Sequence, residues 1–251
     1  MYTMRNNKHI GENNLNSYGT KMYIVEYNGY NDVIVEFQDN HKVHKRCSYK
    51  EFKNGKVKNP YDRSVFGIGY IGEGEYPISI NSRATKCYDV WRSMLLRCYD
   101  SKFHEKEPSY MDCKVVDSWL CYQNFAKWFE DNYYELPNER TQLDKDILIP
   151  DNKVYGPDTC AFVPINLNQI FVKFTKRINS ETNIKGIRKY NNKYLARGVK
   201  NGRMVHLGYF NTLDEAVIAY DNFLKNKLHE VAEEYKDYIP EKVFKAIICR
   251  C

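Results

Sequence analysis

The sequence predicts an α+β fold with a small N-terminal β unit, a central α/β unit and a C-terminal three-stranded antiparallel sheet packed on one helix. Three observations support this. Asn28-Gly29 and Asn201-Gly202 each separate runs of alternating apolar residues, which is a strong hairpin signal. Large apolar side chains recur at helical spacing in 88–100. Thr212 precedes Glu215 by three residues, the spacing of a capping box at a helix start.

Composition and turn signals divide the chain into five segments. They are a β-rich domain at 1–62, a linker at 63–82, a central domain at 83–176, a strand-and-helix domain at 184–238 and a tail helix at 239–251. In the first segment, 1–17 is polar and is expected to be loose, whereas 22–27, 32–37 and 41–48 are expected to form a meander of strands. The short tail helix carries apolar residues that we expect to dock on a neighbouring element.

The C-terminal segment contains the clearest pattern in the chain. We expect strands at 184–190, 194–199 and 203–210, followed by a helix. Because successive strand residues point to opposite faces, alternation assigns each side chain to one face. The face toward the helix is predicted to hold Ile187, Ala196, Val205 and Leu207. The opposite face is predicted to hold Arg188, Tyr190, Leu195, Arg197, Val199, Met204 and His206.

Positive charge is concentrated in this segment. Residues 184–206 include seven Lys or Arg and no Asp or Glu, whereas the whole chain has a net charge of +6. A local basic excess on a sheet is typical of a nucleic-acid-binding surface, because phosphate contacts supply affinity. The predicted DNA-binding residues are Lys185, Arg188, Lys189, Tyr190, Lys193, Arg197, Lys200, Arg203 and His206. A solvated basic hairpin over a small core is the alternative.

The strings KGIRKY and HLGYFNTLDEAVIAYDNF resemble the three-strand-plus-helix DNA-binding domain of plant ethylene-response factors, and more closely its version in phage homing endonucleases. That family lays its sheet in the DNA major groove. The resemblance therefore implies that Arg188, Tyr190, Arg197 and His206 face the groove. Val199 and Met204 occupy positions where the family usually has Arg.

The central segment also has a recognisable order of motifs. W-x-x-M-x-x-R-C-Y, S-Y-x-D-C, L-D-x-D-I and G-P-D-T-C-x-F-V-P follow one another between residues 91 and 164. This order resembles phage HNH-type endonucleases, in which a ββα unit holds one divalent metal ion and a His acts as general base. The resemblance implies a nuclease frame with Mg or Mn as its cofactor.

Carried over by position, the HNH pattern implies that Asp144 is a metal ligand, with Asn166 or Asn168 as a later ligand. Lys145 stands where the family has its catalytic His, and Thr159 stands where it usually has Asn. A protonated Lys is a poor base at neutral pH. We expect a strand at 142–149, on which Asp144 and Asp146 alternate and could share the ion. The catalytic candidates are Asp144, Lys145 and Asp146.

The chain has eight cysteines but no C-x-x-C pair. A structural zinc site built from Cys98, Cys113, Cys121 and Cys160 is an alternative to buried free thiols. The N-terminus lacks the apolar stretch of an export signal, and no run of eighteen apolar residues occurs. We therefore expect no membrane span and reduced cysteines in a host cytoplasm or nucleoid.

The function that these patterns favour is double-stranded DNA binding by a phage or mobile-element protein related to HNH homing endonucleases but lacking their usual His base. A first alternative is an active metal-dependent DNA endonuclease. A second alternative is a protein-interaction module that acts on a host nuclease or defence protein.

Overall fold

The structure, a computed structural model, describes residues 7–178, 186–200 and 202–250. The chain divides into two units, Met1–Asp131 and Asn132–Cys251. This division lies inside 83–176, and the domain bounds drawn from the sequence stay a prediction. In the described chain, no helix is both long and apolar enough to cross a membrane.

The first unit begins with an antiparallel four-stranded sheet in the order β1-β2-β3-β4. Its elements are a 3-10 turn at Asn7–His9, β1 (Asn13–Leu15), β2 (Lys21–Gly29), β3 (Asp32–Phe37), β4 (His44–Cys47) and α1 (Tyr49–Lys53). Phe52 of α1 is buried with Met22, Val33 and Val35 of the sheet. The predicted meander is therefore confirmed.

Two elements of this N-terminal region, one strand and one helix, differ from the sequence prediction. The segment 1–17 was expected to be loose, yet β1 pairs with β2 along Asn13–Leu15. Residues 49–57 were not assigned to a helix, yet α1 forms there. Ser48 caps α1 by accepting from the Glu51 backbone N–H, and the Glu51 carboxylate accepts from the Ser48 backbone N–H. This is the same capping box that marks Thr212, and it was present in the sequence.

The remainder of the first unit contains four helices, one 3-10 turn and three short strands. Its elements are β5 (Ser79–Ile80), β6 (Arg83–Ala84), α2 (Lys86–Tyr99), α3 (Ser101–Lys106), a 3-10 turn at Pro108–Tyr110, β7 (Lys114–Val115), α4 (Asp117–Leu120) and α5 (Tyr122–Asn132). Trp91 of α2 is fully buried, and its indole N–H donates to the Trp119 carbonyl over 2.7 Å. The indole thus fills the core while its only donor is satisfied.

In its described residues, the second unit contains two antiparallel strand arrangements and three helices. Its elements are β8 (Thr141–Asp144), β9 (Val154–Tyr155), β10 (Ala161–Pro164), α6 (Ile165–Ile178), β11 (Ile187–Tyr190), β12 (Lys193–Lys200), β13 (Arg203–Phe210), α7 (Leu213–Glu234) and α8 (Glu241–Ile248). Strands β8 and β10 pair antiparallel, with Ala161 opposite Asp144, and α6 follows directly. Strands β11, β12 and β13 form the predicted three-stranded sheet.

Helix α7 covers one face of this sheet, and two of its aromatic rings pack where the sheet region has glycine instead of a larger residue. A Cβ on Gly198 of β12 would lie 2.2 Å from the Phe223 ring, and one on Gly186 would lie 2.4 Å from the Tyr220 ring. The rings therefore approach the sheet more closely than any larger residue would permit. Thr212 accepts from the Glu215 N–H, as the capping box predicts. Ala196 and Ala216 are both fully buried.

The distal half of α7 enters a second core. Leu228 and Ala232 are buried together with Ile147, with Leu167 and Phe171 of α6, and with Val243 and Ile247 of α8. Phe244 packs partly buried on the same cluster. The expectation that the tail helix docks on a neighbour is confirmed, as is the α+β class with a sheet beside one helix. Helix α7 continues to Glu234, and this core supports its second half.

We expect Gly198→Ala to lower the free energy of unfolding by about 1–3 kcal/mol, since the added methyl group would overlap the Phe223 ring. A smaller side chain at 223 should relieve the overlap. The decrease in the free energy of unfolding should therefore be smaller for the double variant Gly198→Ala/Phe223→Leu than the sum of the decreases for the two single variants. Urea unfolding followed by circular dichroism measures all three. If the two decreases in unfolding free energy simply add, the methyl group at 198 does not overlap the Phe223 ring.

Candidate nucleic-acid interface

The sheet face turned away from α7, here called the open face, is defined by the register of the three strands. Arg188 lies opposite Leu195, and Leu195 lies opposite Tyr209. Arg197 pairs with His206, and Val199 pairs with Met204. Among the described residues, the open face consists of Arg188, Tyr190, Lys193, Leu195, Arg197, Val199, Met204, His206 and Tyr209. The predicted grouping of Arg188, Tyr190, Arg197, Val199, Met204 and His206 on one face is thus confirmed by the strand pairing.

A β-bulge brings Tyr209 to the open face. Ala196 pairs with Gly208 and Arg197 with His206, so Leu207 is an extra residue in β13. Simple alternation placed Leu207 toward the helix, but the bulge leaves Leu207 without a partner in the register, so its face stays a prediction. Beyond the bulge the alternation is reversed, and Tyr209 joins Arg188 and His206. Gly208, with φ +143°, was the sequence signal for this bulge.

Aromatic and cationic groups are in contact across the open face. The Tyr190 and Tyr209 ring centroids are 5.6 Å apart, and the His206 and Tyr209 centroids are 5.0 Å apart. The Arg188 guanidinium lies 6.0 Å from the Tyr190 centroid. Because Tyr190 and Tyr209 sit on the two outer strands, their contact passes over β12. This explains why Leu195, on the open face, is fully buried.

The described Lys and Arg residues of the sheet are divided equally between its two faces, but those on the helix side include one with an acidic partner. Arg188, Lys193, Arg197 and His206 lie on the open face, and none of the nine residues that define it is Asp or Glu. Lys200 and Arg203 pair with each other on the helix side. Lys200 there forms an ion pair with Glu230 of α7 at 2.6 Å. Lys189 is exposed opposite Tyr194, also on the helix side.

Two predicted positions lie beyond the described residues. Lys185 and Asn201 are both outside the ranges given above, and their placement is not described. Gly202, which follows Asn201, has φ +73°, a conformation that glycine adopts without steric cost. The Asn191-Asn192 turn is described, and Asn191 there has φ +53°. Asn tolerates this region better than most residues, which agrees with the predicted turn.

The residues suggested for catalysis lie around the end of β8. The predicted strand at 142–149 was too long, because β8 ends at Asp144. Asp144 Oδ1 accepts from the backbone N–H groups of Asp146 at 2.8 Å and Ile147 at 2.7 Å. These bonds turn the chain immediately after the strand. Asp144 and Asp146 therefore do not alternate along one strand.

Lys145 is buried and is held by three acceptors. Its ammonium donates to both Asp146 carboxylate oxygens, at 2.7 and 2.9 Å, and to the Asn152 carbonyl at 2.6 Å. Asn152 in turn donates its side-chain amide to the Lys145 carbonyl at 2.9 Å. An amine that donates in this way is charged and has no lone pair to accept a proton. The geometry thus gives Lys145 a structural role.

Asn166 is remote from Asp144 along the strand pair. Pro164 lies opposite Thr141, whereas Ala161 lies opposite Asp144, so the two ends of this pairing are roughly 10 Å apart. Asn166 follows the Thr141 end and is exposed, and its backbone N–H donates to Glu139. Asn168 is buried beside it and donates to Gln142 at 3.2 Å. Thr159 donates to the Val154 carbonyl at 2.7 Å.

This arrangement does not fit the divalent ion that the HNH resemblance implies. Both Asp146 oxygens are engaged by the Lys145 ammonium, one Asp144 oxygen accepts two backbone N–H groups, and Asn166 lies at the other end of the strand pair. Within the described ranges, no group of three or more His, Cys, Asp or Glu side chains is suited to hold a metal ion. Mg, Mn and zinc therefore remain predictions from the sequence alone.

The four cysteines proposed for zinc are all buried free thiols, at positions 98, 113, 121 and 160. Burial raises the pKa of Cys160 to about 12. Sequence reasoning did not identify Arg250, whose guanidinium donates to the Asp146 carbonyl at 3.2 Å. No local sequence signal indicates such a contact between residues so distant in the chain.

A comparison of the chain with protein-family models, with curated proteins and with solved structures finds no match. The resemblances to homing endonucleases and to ethylene-response factors thus stay predictions.

Burial raises the pKa of the Asp144 carboxyl above its ordinary 3.8, although the N–H groups of Asp146 and Ile147 oppose the shift. The native state therefore binds this proton more readily than the unfolded state does. The contribution of Asp144 to stability consequently falls as the pH rises from below 3.8 through the raised pKa.

We expect Asp144→Asn to be at least as stable as the wild type at pH 7, because the amide oxygen still accepts both N–H groups without a buried charge. Asp144→Ala should lose about 1–3 kcal/mol, since two donors lose their acceptor. Urea unfolding at pH 7 compares the three proteins. If Asp144→Asn is as unstable as Asp144→Ala, the acceptance of the two backbone N–H groups by residue 144 does not stabilise the fold.

Proposed function

We propose that this protein binds double-stranded DNA through the open face of the β11–β13 sheet. One observation carries the proposal: a cationic sheet face defined without any carboxylate lies opposite the face that α7 covers. A surface of this charge attracts the phosphate backbone and releases its condensed counterions. The two faces of the sheet thus have separate roles, one for folding and one for binding.

The shape of the open face supports a duplex rather than a single strand. Antiparallel strands can enter the major groove of B-DNA, which is about 12 Å wide. Arg188 and Arg197 supply guanidinium groups, which recognise guanine bidentately in that groove. Tyr190 and Tyr209 lie against each other, and Tyr190 also lies near the Arg188 guanidinium and Tyr209 near the His206 ring. Their rings are therefore less available for stacking on the unpaired bases of a single strand.

DNA cleavage is not part of the proposal. The carboxylates and the Lys at the end of β8 are engaged with one another and with backbone groups, and the donor set does not fit the metal ion. A plasmid-nicking assay in Mg²⁺ or Mn²⁺ that detects cleavage abolished by Asp144→Ala would replace the binding-only function with an endonuclease.

We expect the double variant Arg188→Ala/Arg197→Ala to bind a mixed-sequence duplex more weakly than the wild type. Removing two phosphate-neutralising charges should also reduce the slope of log affinity against log salt concentration by about two. Fluorescence anisotropy over a series of NaCl concentrations measures both quantities.

The matched control is Lys242→Ala/Lys245→Ala, which removes two charges from exposed residues of α8. This control should retain the wild-type affinity and salt slope. If both double variants behave like the wild type, the open face is not the DNA site. If both lose affinity equally, the binding reflects net charge rather than this surface.

A further inference from the structure

Two exposed apolar side chains lie side by side on the open face. Val199 and Met204 are cross-strand partners next to the β12–β13 turn, and they are 53% and 67% exposed. The Arg197 guanidinium lies 3.4 Å from the Met204 sulfur atom. Single exposed apolar residues are ordinary, but a cross-strand pair within a cationic face forms a small, defined contact surface.

The position of this pair relative to the cations is fixed by the strand geometry. The next pair on the same face, away from the turn, is Arg197 with His206. Residues two apart on a strand are separated by about 6.8 Å. Base pairs along one DNA strand are about 3.4 Å apart, so the apolar pair and the Arg197 pair are offset by about two base-pair steps.

The major groove offers one apolar group to such a pair. Every base edge there presents hydrogen-bond donors or acceptors, whereas thymine also presents its C5 methyl group. Neither Val nor Met has an N–H or O–H group to donate, so their favourable contact in the groove is with this methyl group. The neighbouring guanidinium and imidazole supply the polar contacts.

We infer that Val199 and Met204 contact the C5 methyl group of a pyrimidine in the major groove and make the open face selective for thymine near the position that Arg197 contacts. The inference rests on the proposed DNA binding and adds a base preference to it. The same methyl group occurs in 5-methylcytosine, so the shared chemistry is a C5-methylated pyrimidine.

The test begins with a duplex selected by the full-length protein from a random-sequence pool. Each thymine of that duplex is then replaced in turn by deoxyuridine, which keeps every hydrogen-bonding group and lacks only the methyl group. We expect about fourfold weaker binding at one or two positions, the factor that corresponds to about 0.8 kcal/mol for one buried methyl-sized group.

The double variant Val199→Ala/Met204→Ala should bind the thymine and deoxyuridine duplexes equally. Ile218→Ala is the matched control, because Ile218 is a 60% exposed apolar residue on α7 rather than on the open face. This control should discriminate between the two duplexes as the wild type does. A G·5-methylcytosine pair at the sensitive position should bind more tightly than G·cytosine if the methyl group itself is read.

Several outcomes would overturn the inference. A selected site without thymine, or equal wild-type affinity for the two duplexes, would show that the apolar pair reads no methyl group. Discrimination that persists in the double variant would assign the reading to other residues. In these cases DNA binding itself stands. Absence of duplex binding at any salt concentration would remove both the inference and the proposed function.

Discussion

The close approach of α7 to the middle strand of the C-terminal sheet is the constraint on which the rest of this region depends. Gly198 has no side chain where the Phe223 ring lies, so the helix packs directly against the backbone of β12. One face of a three-stranded sheet is closed by this contact, and a sheet of this size needs such a cover to be stable. The other face is not covered by the helix and can carry charged side chains.

The charged residues of the two faces have different neighbours. On the helix side, Lys200 forms an ion pair with Glu230. On the open face the Arg188 guanidinium lies near the Tyr190 ring rather than near a carboxylate of that face. Rings attract cations without cancelling their charge, so the surface keeps its positive field while its side chains are partly held in place. The β-bulge contributes to this arrangement, because it supplies the second tyrosine of the cluster.

Local patterns in the sequence predict much of this fold, and non-local contacts account for what they miss. Strand alternation and the turns at Asn191-Asn192 and Gly202 suffice to group Arg188, Tyr190, Arg197 and His206 on one face. Alternation misses Tyr209, because the β-bulge reverses it beyond Leu207. Helix α1 was missed although Ser48 and Glu51 carry its capping signal. The end of β8 was missed because the Asp144 side chain competes for backbone N–H groups that a longer strand would use. The partners of Lys145 depend on a loop closure that no local pattern reveals.

The length of α7 has a mechanical consequence. Twenty-two residues span about 33 Å of uninterrupted helix. One end is anchored beneath the sheet through Ala216, and the other is anchored through Leu228 and Ala232 in the core that includes Ile147. The helix is therefore a rigid connection between the β11–β13 sheet and this core. It holds the strand pair β8–β10 at a fixed distance from the β11–β13 sheet, so a tilt imposed at one end of the helix is carried to the other.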